Sequence, residues 1–166
     1  MIVPDVIYKL KEGPEWNEYW TGELFEDKRV VAFSLPGAYT PICSSKQLPS
    51  FEEKYGEILK CGIDEIICIS VNDDAVMSSW FTSLGISRVK YLPDGSGEFT
   101  RDMDMLVWKP YQNFGYRSWR YAMVVDNGKI EEMFIEKGKN QVGSDDDPYE
   151  MTKPEKILEY LKKEKE

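Results

Sequence analysis

The chain alternates short apolar runs with amphipathic stretches, each closed by a turn residue. Residues 29–35 (RVVAFSL) form an apolar run that meets Pro36-Gly37 directly, the pattern of a buried strand. Between residues 44 and 60 the apolar positions Leu48, Phe51, Tyr55, Ile58 and Leu59 fall at helical spacing, and Gly62 ends the pattern. Pro49 lies inside it, cannot donate to the helical ladder and predicts a kink near Leu48. Residues 65–71 (EIICISV) have almost no polar interruption, which predicts a second strand in a sheet covered on both faces. Asp73 or Asp74 then caps a helix carrying Ala75, Val76, Trp80, Phe81 and Leu84 on one face, stopped by Gly85.

The second half is less regular. Residues 89–92 predict a short strand ending in the turn PDGSG, and a brief helix follows over residues 98–105. Two strands, 119–126 and 129–135, flank Asn127-Gly128, a strong hairpin signal. Residues 138–149 read as a polar, acidic loop. Its triplet Asp145-Asp146-Asp147 lacks the alternating ligands and glycine of a calcium loop and reads as solvated. Thr152 and Glu155 have the spacing of a capping box for a last helix that buries Ile157, Leu158 and Leu161. A β-α-β opening followed by β-β-α predicts an α/β, thioredoxin-like fold, a mixed central sheet with helices on both faces. No linker or repeat interrupts residues 1–166, so one domain is expected.

Composition narrows the chemistry. The net charge of −9 would repel a phosphate backbone or an anionic lipid surface, so neither nucleic acid nor membrane is an expected partner. No apolar stretch reaches the length of a membrane-spanning helix, and the first twenty residues have no basic flank followed by an apolar run, which predicts a cytoplasmic address. The chain has no histidine, which removes histidine-based hydrolysis and histidine-ligated metal sites. Its three cysteines, Cys43, Cys61 and Cys68, include no C-x-x-C pair, so a structural zinc site and a C-x-x-C disulfide oxidoreductase are both disfavoured. No metal or bound cofactor is expected.

One stretch concentrates reactive chemistry. The first strand empties into Pro36-Gly37-Ala38-Tyr39-Thr40-Pro41-Ile42-Cys43, which places Cys43 in the first turn of the long helix. The leading N–H groups of a helix lack intrahelical partners and carry partial positive charge, so a thiolate there is stabilised. Thr40, three residues earlier, can turn its hydroxyl into the same pocket. Arg120 lies between Trp119 and Tyr121 on a predicted inner strand, where its charge would be costly to bury without an anionic partner.

The run from Pro36 to Cys43 matches the P-x-x-x-T-x-x-C signature of the peroxiredoxins. The longer string VVAFSLPGAYTPICSSKQLPSFEEKY resembles their type II branch, which includes peroxiredoxin 5. The segments GIDEIICISVND, LPDGSGEFT and RSWRYAMVVDNGKIEEMFIE agree, so the resemblance spans about residues 30–161. The last of them is also similar to the peroxiredoxin part of bacterial peroxiredoxin–glutaredoxin fusions. The resemblance implies a thiol peroxidase that reduces hydrogen peroxide and organic hydroperoxides through a sulfenic acid at Cys43. In that family's terms Thr40 aligns the peroxide, Pro36 shields the thiolate, Arg120 stabilises the thiolate and polarises the peroxide, and the N–H groups of Ile42 and Cys43 complete the cradle. It further implies an external thiol reductant, with glutathione and glutaredoxin favoured over thioredoxin, and a homodimer. The alternative from a different class is a redox sensor or relay oxidised at Cys43 that passes the oxidation to a partner.

Two positions are less settled. Many relatives carry histidine one turn after the cysteine, where this chain has Gln47, so no imidazole supplies a proton here. Cys68 lies twenty-five residues beyond Cys43, the spacing of the second cysteine that plant type II members use as a proposed resolving thiol. Its apolar strand equally fits a core residue. Cys61, beside Gly62, reads as a bystander.

Overall fold

The computed structural model describes residues 1–140 and 147–163. Its centre is a five-stranded mixed sheet in which β3 (Arg29–Ser34) is the middle strand. On one side β3 pairs in parallel with β4 (Glu65–Ser70), which pairs in parallel with β5 (Lys90–Pro93). On the other side β3 pairs antiparallel with β8 (Tyr121–Asp126), and β9 (Lys129–Ile135) forms the outer edge. Asn127 and Gly128 turn the β8–β9 hairpin with positive φ at both residues, the conformation that Asn-Gly adopts with least strain.

Both faces of the sheet are covered. Val31, Phe33, Ile66, Cys68, Ala122 and Val124 face the helices α2 (Leu48–Glu53), α3 (Tyr55–Leu59), α4 (Asp74–Ser83) and α6 (Pro154–Lys163). The alternate residues Val30, Ala32, Ile67, Ile69, Met123 and Val125 pack with Phe25 of α1 (Gly22–Phe25) and Phe99 of α5 (Glu98–Asp102). This two-sided burial explains why the central strands read as unbroken apolar runs.

Some expectations needed correction. The helix after Cys43 is more than kinked: a π-helical turn over Cys43–Gln47 runs into α2, and α3 follows after a break at Lys54. Leu48 N–H reaches back five residues to the Cys43 carbonyl, and Pro49 offers no N–H to restore the α-helical ladder behind it. The Thr152–Glu155 capping box does not form. α6 begins at Pro154, and the Thr152 hydroxyl donates to Glu136 instead. Two hairpins had no counterpart in the sequence reading: β1 (Ile7–Glu12) with β2 (Glu15–Trp20), and β6 (Leu106–Lys109) with β7 (Gly115–Ser118). Among the described residues no helix is long and apolar enough to cross a membrane.

Candidate active site

The site lies where β3 ends. Phe33 stacks on Phe51 with ring centroids 4.0 Å apart, so the central strand and the helix after Cys43 share one apolar anchor. The chain between them must fold back tightly. Gly37 permits this because a Cβ there would lie 1.9 Å from Nη1 of Arg117. Tyr39 takes a left-handed conformation, and its hydroxyl bonds Ser79 on α4 at 2.6 Å, while Ala38 N–H donates to Asn72 at 3.0 Å. These contacts set the path of the loop before Thr40.

Cys43 is fully buried, and so is Arg120 but for 1% of its surface. Nη2 of Arg120 lies 3.3 Å from the Cys43 sulfur. The rest of the guanidinium is held firmly. Its Nε donates to Gln47 Oε1 at 2.7 Å, and Nη1 donates to the Pro148 carbonyl at 2.8 Å and pairs with the Asp147 carboxylate at 2.6 Å. The Tyr149 ring lies 5.5 Å from the guanidinium carbon. Burial alone would lower the Arg120 pKa; Cys43 and Asp147 outweigh it and hold that pKa above the ordinary arginine value. The cost of burying this cation is thus offset by the sulfur and carboxylate beside it.

The remaining sequence-picked residues fall around the same loop. Thr40 is buried and its hydroxyl donates to the Gly37 carbonyl at 2.7 Å, which leaves its lone pairs as acceptors. Pro36 is buried, and its carbonyl accepts from Arg117 Nη1 at 3.1 Å. The helical ladder starts with Ser44 N–H donating to Thr40 O at 3.0 Å, so the N–H groups of Ile42 and Cys43 stand ahead of it. Trp80, from α4, donates to the Ser44 hydroxyl at 2.8 Å and pins the turn from behind. Cys68 is elsewhere. It sits within β4 opposite Phe33, fully buried, and burial pushes its thiol well above the ordinary cysteine range, with Cys43 adding to the shift.

Residues 3–151 match the redoxin family. A curated peroxiredoxin of Rhizobium etli is 53% identical over 147 residues, covering 89% of this chain and 82% of its own. The chain belongs to the peroxiredoxins. Its architecture and segment matches fit the type II branch. Among solved structures, the antioxidant protein of Plasmodium falciparum, a 1-Cys peroxiredoxin, superposes with a TM-score of 0.91 at 36% identity, covering 98% of both chains. Reduced Prx3 of Vibrio vulnificus in complex with hydrogen peroxide superposes with a TM-score of 0.88 at 30% identity, covering 99% of this chain and 96% of its own.

Three residues of this peroxiredoxin's site escaped the sequence reading. Arg117 ties the β6–β7 hairpin to the loop through Pro36, and its Nε also donates to the Phe114 carbonyl at 3.0 Å. Burial lowers its pKa, and Cys43 pulls it partly back. The signal was present as the first arginine of RSWR, but nothing in the spacing shows which of the two faces the sulfur. Asp147, read as part of a solvated loop, instead closes on Arg120; Asp145 and Asp146 lie outside the described residues. Glu136 is buried, and its carboxylate accepts from the N–H groups of Glu150, Met151 and Thr152, which fastens the segment bearing Asp147 and Tyr149. A lone glutamate after a strand carries no such signal in sequence.

Proposed function

We propose that this peroxiredoxin reduces hydrogen peroxide and small organic hydroperoxides by way of a sulfenic acid at Cys43, and that an external thiol regenerates it. The observation that carries the reading is the Arg120 fork. One arm points at the buried sulfur, while every other nitrogen is anchored to Gln47, Asp147 or Pro148. Nη2 has two N–H groups, and among the described residues Cys43 is its single acceptor. The second N–H is thus left for a peroxide oxygen beside the sulfur.

In this reading the Cys43 thiolate attacks the terminal peroxide oxygen. The S–O bond forms as the O–O bond breaks, sulfur is oxidised to Cys–SOH, and the departing alkoxide or hydroxide takes a proton from solvent. Negative charge grows on the departing oxygen along this path. Donors already fixed at Arg120 and at the Ile42 and Cys43 N–H groups therefore stabilise the transition state more than the bound peroxide. Thr40, whose own proton is engaged with Gly37, accepts the hydrogen bond of the peroxide O–H and fixes which oxygen faces the sulfur. Pro36 and the closed loop keep bulk water from the thiolate. Gln47 orients Arg120 and does not titrate, so proton delivery falls to solvent or the peroxide itself.

Regeneration by an external thiol fits the position of Cys68. A buried strand residue with a raised thiol pKa is a poor attacker, and the Plasmodium relative is itself a 1-Cys peroxiredoxin. Glutathione with glutaredoxin is the favoured reductant and thioredoxin the second, on the family resemblance. A homodimer is expected on the same resemblance, and a cytoplasmic address belongs to the same proposal. Tyr39 of the active-site loop, and Trp108, Tyr111 and Tyr116 of the hairpin that Arg117 joins to it, are exposed and supply an aromatic face for a second copy.

A steady-state assay with hydrogen peroxide tests the reading, run in parallel with glutathione–glutaredoxin and with thioredoxin–thioredoxin reductase. Many equivalents of peroxide should be consumed per protein, and faster with the glutaredoxin system. Consumption of about one equivalent under both systems would instead indicate a sensor or relay.

A further inference from the structure

Beside the Cys43 turn lies a cleft of about 450 Å³ lined by Ile42, Lys46, Ser50, Tyr149, Glu150, Lys153 and Glu155. We propose that it seats the attacking external thiol, and that its charges select a small thiol bearing both carboxylates and an ammonium, of tripeptide size. The inference rests on the peroxidase reading above and names the site at which the second half of that cycle begins.

Position is the first support. Ile42 and Lys46 lie immediately before Cys43 and one turn after it, and Tyr149 covers the Arg120 guanidinium that holds the sulfur. Because Cys43 has no exposed surface, a thiol can reach its sulfur only if a covering element shifts, and the π-helical turn and the Tyr149 segment are two of these. The cleft is walled by both, so a ligand bound there touches two of the covering elements. Ser50 of α2, the helix into which the turn runs, latches onto the Tyr149 segment by a 3.1 Å contact between the two hydroxyls.

Charge is the second support. A chain of net charge −9 repels a small anionic thiol over most of its surface. Here two lysines face one cleft. Lys153 Nζ lies 5.6 Å from the Tyr149 ring centroid and makes only a long, exposed pair with Glu150 at 3.7 Å; Lys46 has no carboxylate partner among the described residues. Two ammonium groups for carboxylates, and Glu150 and Glu155 for an ammonium, complement a zwitterionic thiol. The volume is within the roughly 300–1,000 Å³ typical of small-molecule sites. The lysines also favour the thiolate of the bound thiol, the form that attacks. In the step itself the thiolate sulfur bonds to the Cys43 sulfur, the S–O bond breaks, and hydroxide leaves and takes a proton as water. The thiol sulfur is oxidised and the sulfenic sulfur reduced. A second thiol then releases Cys43 and carries off the disulfide.

The test compares three thiols as reductants of the protein oxidised with one equivalent of hydrogen peroxide: glutathione, uncharged dithiothreitol and cationic cysteamine. In Lys46→Glu/Lys153→Glu the glutathione-to-dithiothreitol rate ratio should fall at least tenfold, and the cysteamine-to-dithiothreitol ratio should rise. The single variants Lys46→Gln and Lys153→Gln should lower the first ratio by smaller factors. In the wild type, S-methylglutathione, which cannot react, should slow regeneration by glutathione. Unchanged ratios in all variants, with the wild type still oxidised by peroxide, would overturn the thiol site and leave the peroxidase reading standing. A wild type that peroxide does not oxidise would overturn that reading and the site with it.

Discussion

Cys43→Ser is expected to reduce peroxide consumption to the uncatalysed background while the protein still unfolds in a single cooperative transition. A serine hydroxyl is not appreciably ionised at neutral pH, so the attacking group is lost outright. The substitution is nearly isosteric, and the new hydroxyl can accept from Arg120 Nη2, which now lies 3.3 Å from the sulfur. The buried cation therefore keeps a partner and the cost to stability stays small, within about 1 kcal/mol. Turnover in the standard assay and the thermal transition are measured on the same preparation. Retained turnover would move the nucleophile to another residue. Lost turnover together with lost cooperativity would show that Cys43 serves packing instead.

Arg120→Lys should produce the second largest loss. An ammonium on a flexible stem can reach one of the partners now shared by the guanidinium, but not Gln47, Asp147, Pro148 and Cys43 together. Losing one fixed donor to a developing oxyanion commonly costs about 2.7–4 kcal/mol, on the order of 10²–10³ in rate. The second-order rate constant for reaction with hydrogen peroxide should fall by a factor in that range. It can be read by stopped-flow tryptophan fluorescence, because the Trp80 indole is hydrogen-bonded to Ser44, next to Cys43. A rate constant within twofold of wild type would mean that Arg120 only fills space. The separation of effects matters here, since a lysine left unpaired in this buried position also destabilises the fold.

How much of this was legible in sequence depends on whether a feature is local. The buried strands announced themselves because both sheet faces are covered, so neither strand could afford polar interruptions. The loop from Pro36 to Cys43 was legible through the family signature it resembles, and Gly37 is a position where the backbone itself takes a positive φ. The β1–β2 and β6–β7 hairpins were not. Their residues are half-exposed, carry mixed polarity and lack a two-residue Asn-Gly turn, so no period stood out. Arg120 is buried beside Trp119 and Tyr121, though it lies just before β8 and not within the strand as predicted, and the sequence points to the sulfur alone as its anionic partner. Asp147 and the Glu136 anchor come from segments far along the chain, and the fold alone brings them to the site. The Thr152–Glu155 spacing misled for the same reason: a nearer cap was outcompeted by a buried carboxylate that needed the Thr152 donors.

The most direct test of the central claim is the fate of the thiols after a single turnover. The reduced protein is mixed with one equivalent of hydrogen peroxide, trapped with a sulfenic-acid reagent, digested and mapped by mass spectrometry. A trapped sulfenic acid on Cys43, with Cys61 and Cys68 still free thiols, is the result this account predicts. A stoichiometric Cys43–Cys68 disulfide, or oxidation confined to Cys61 or Cys68, would contradict it.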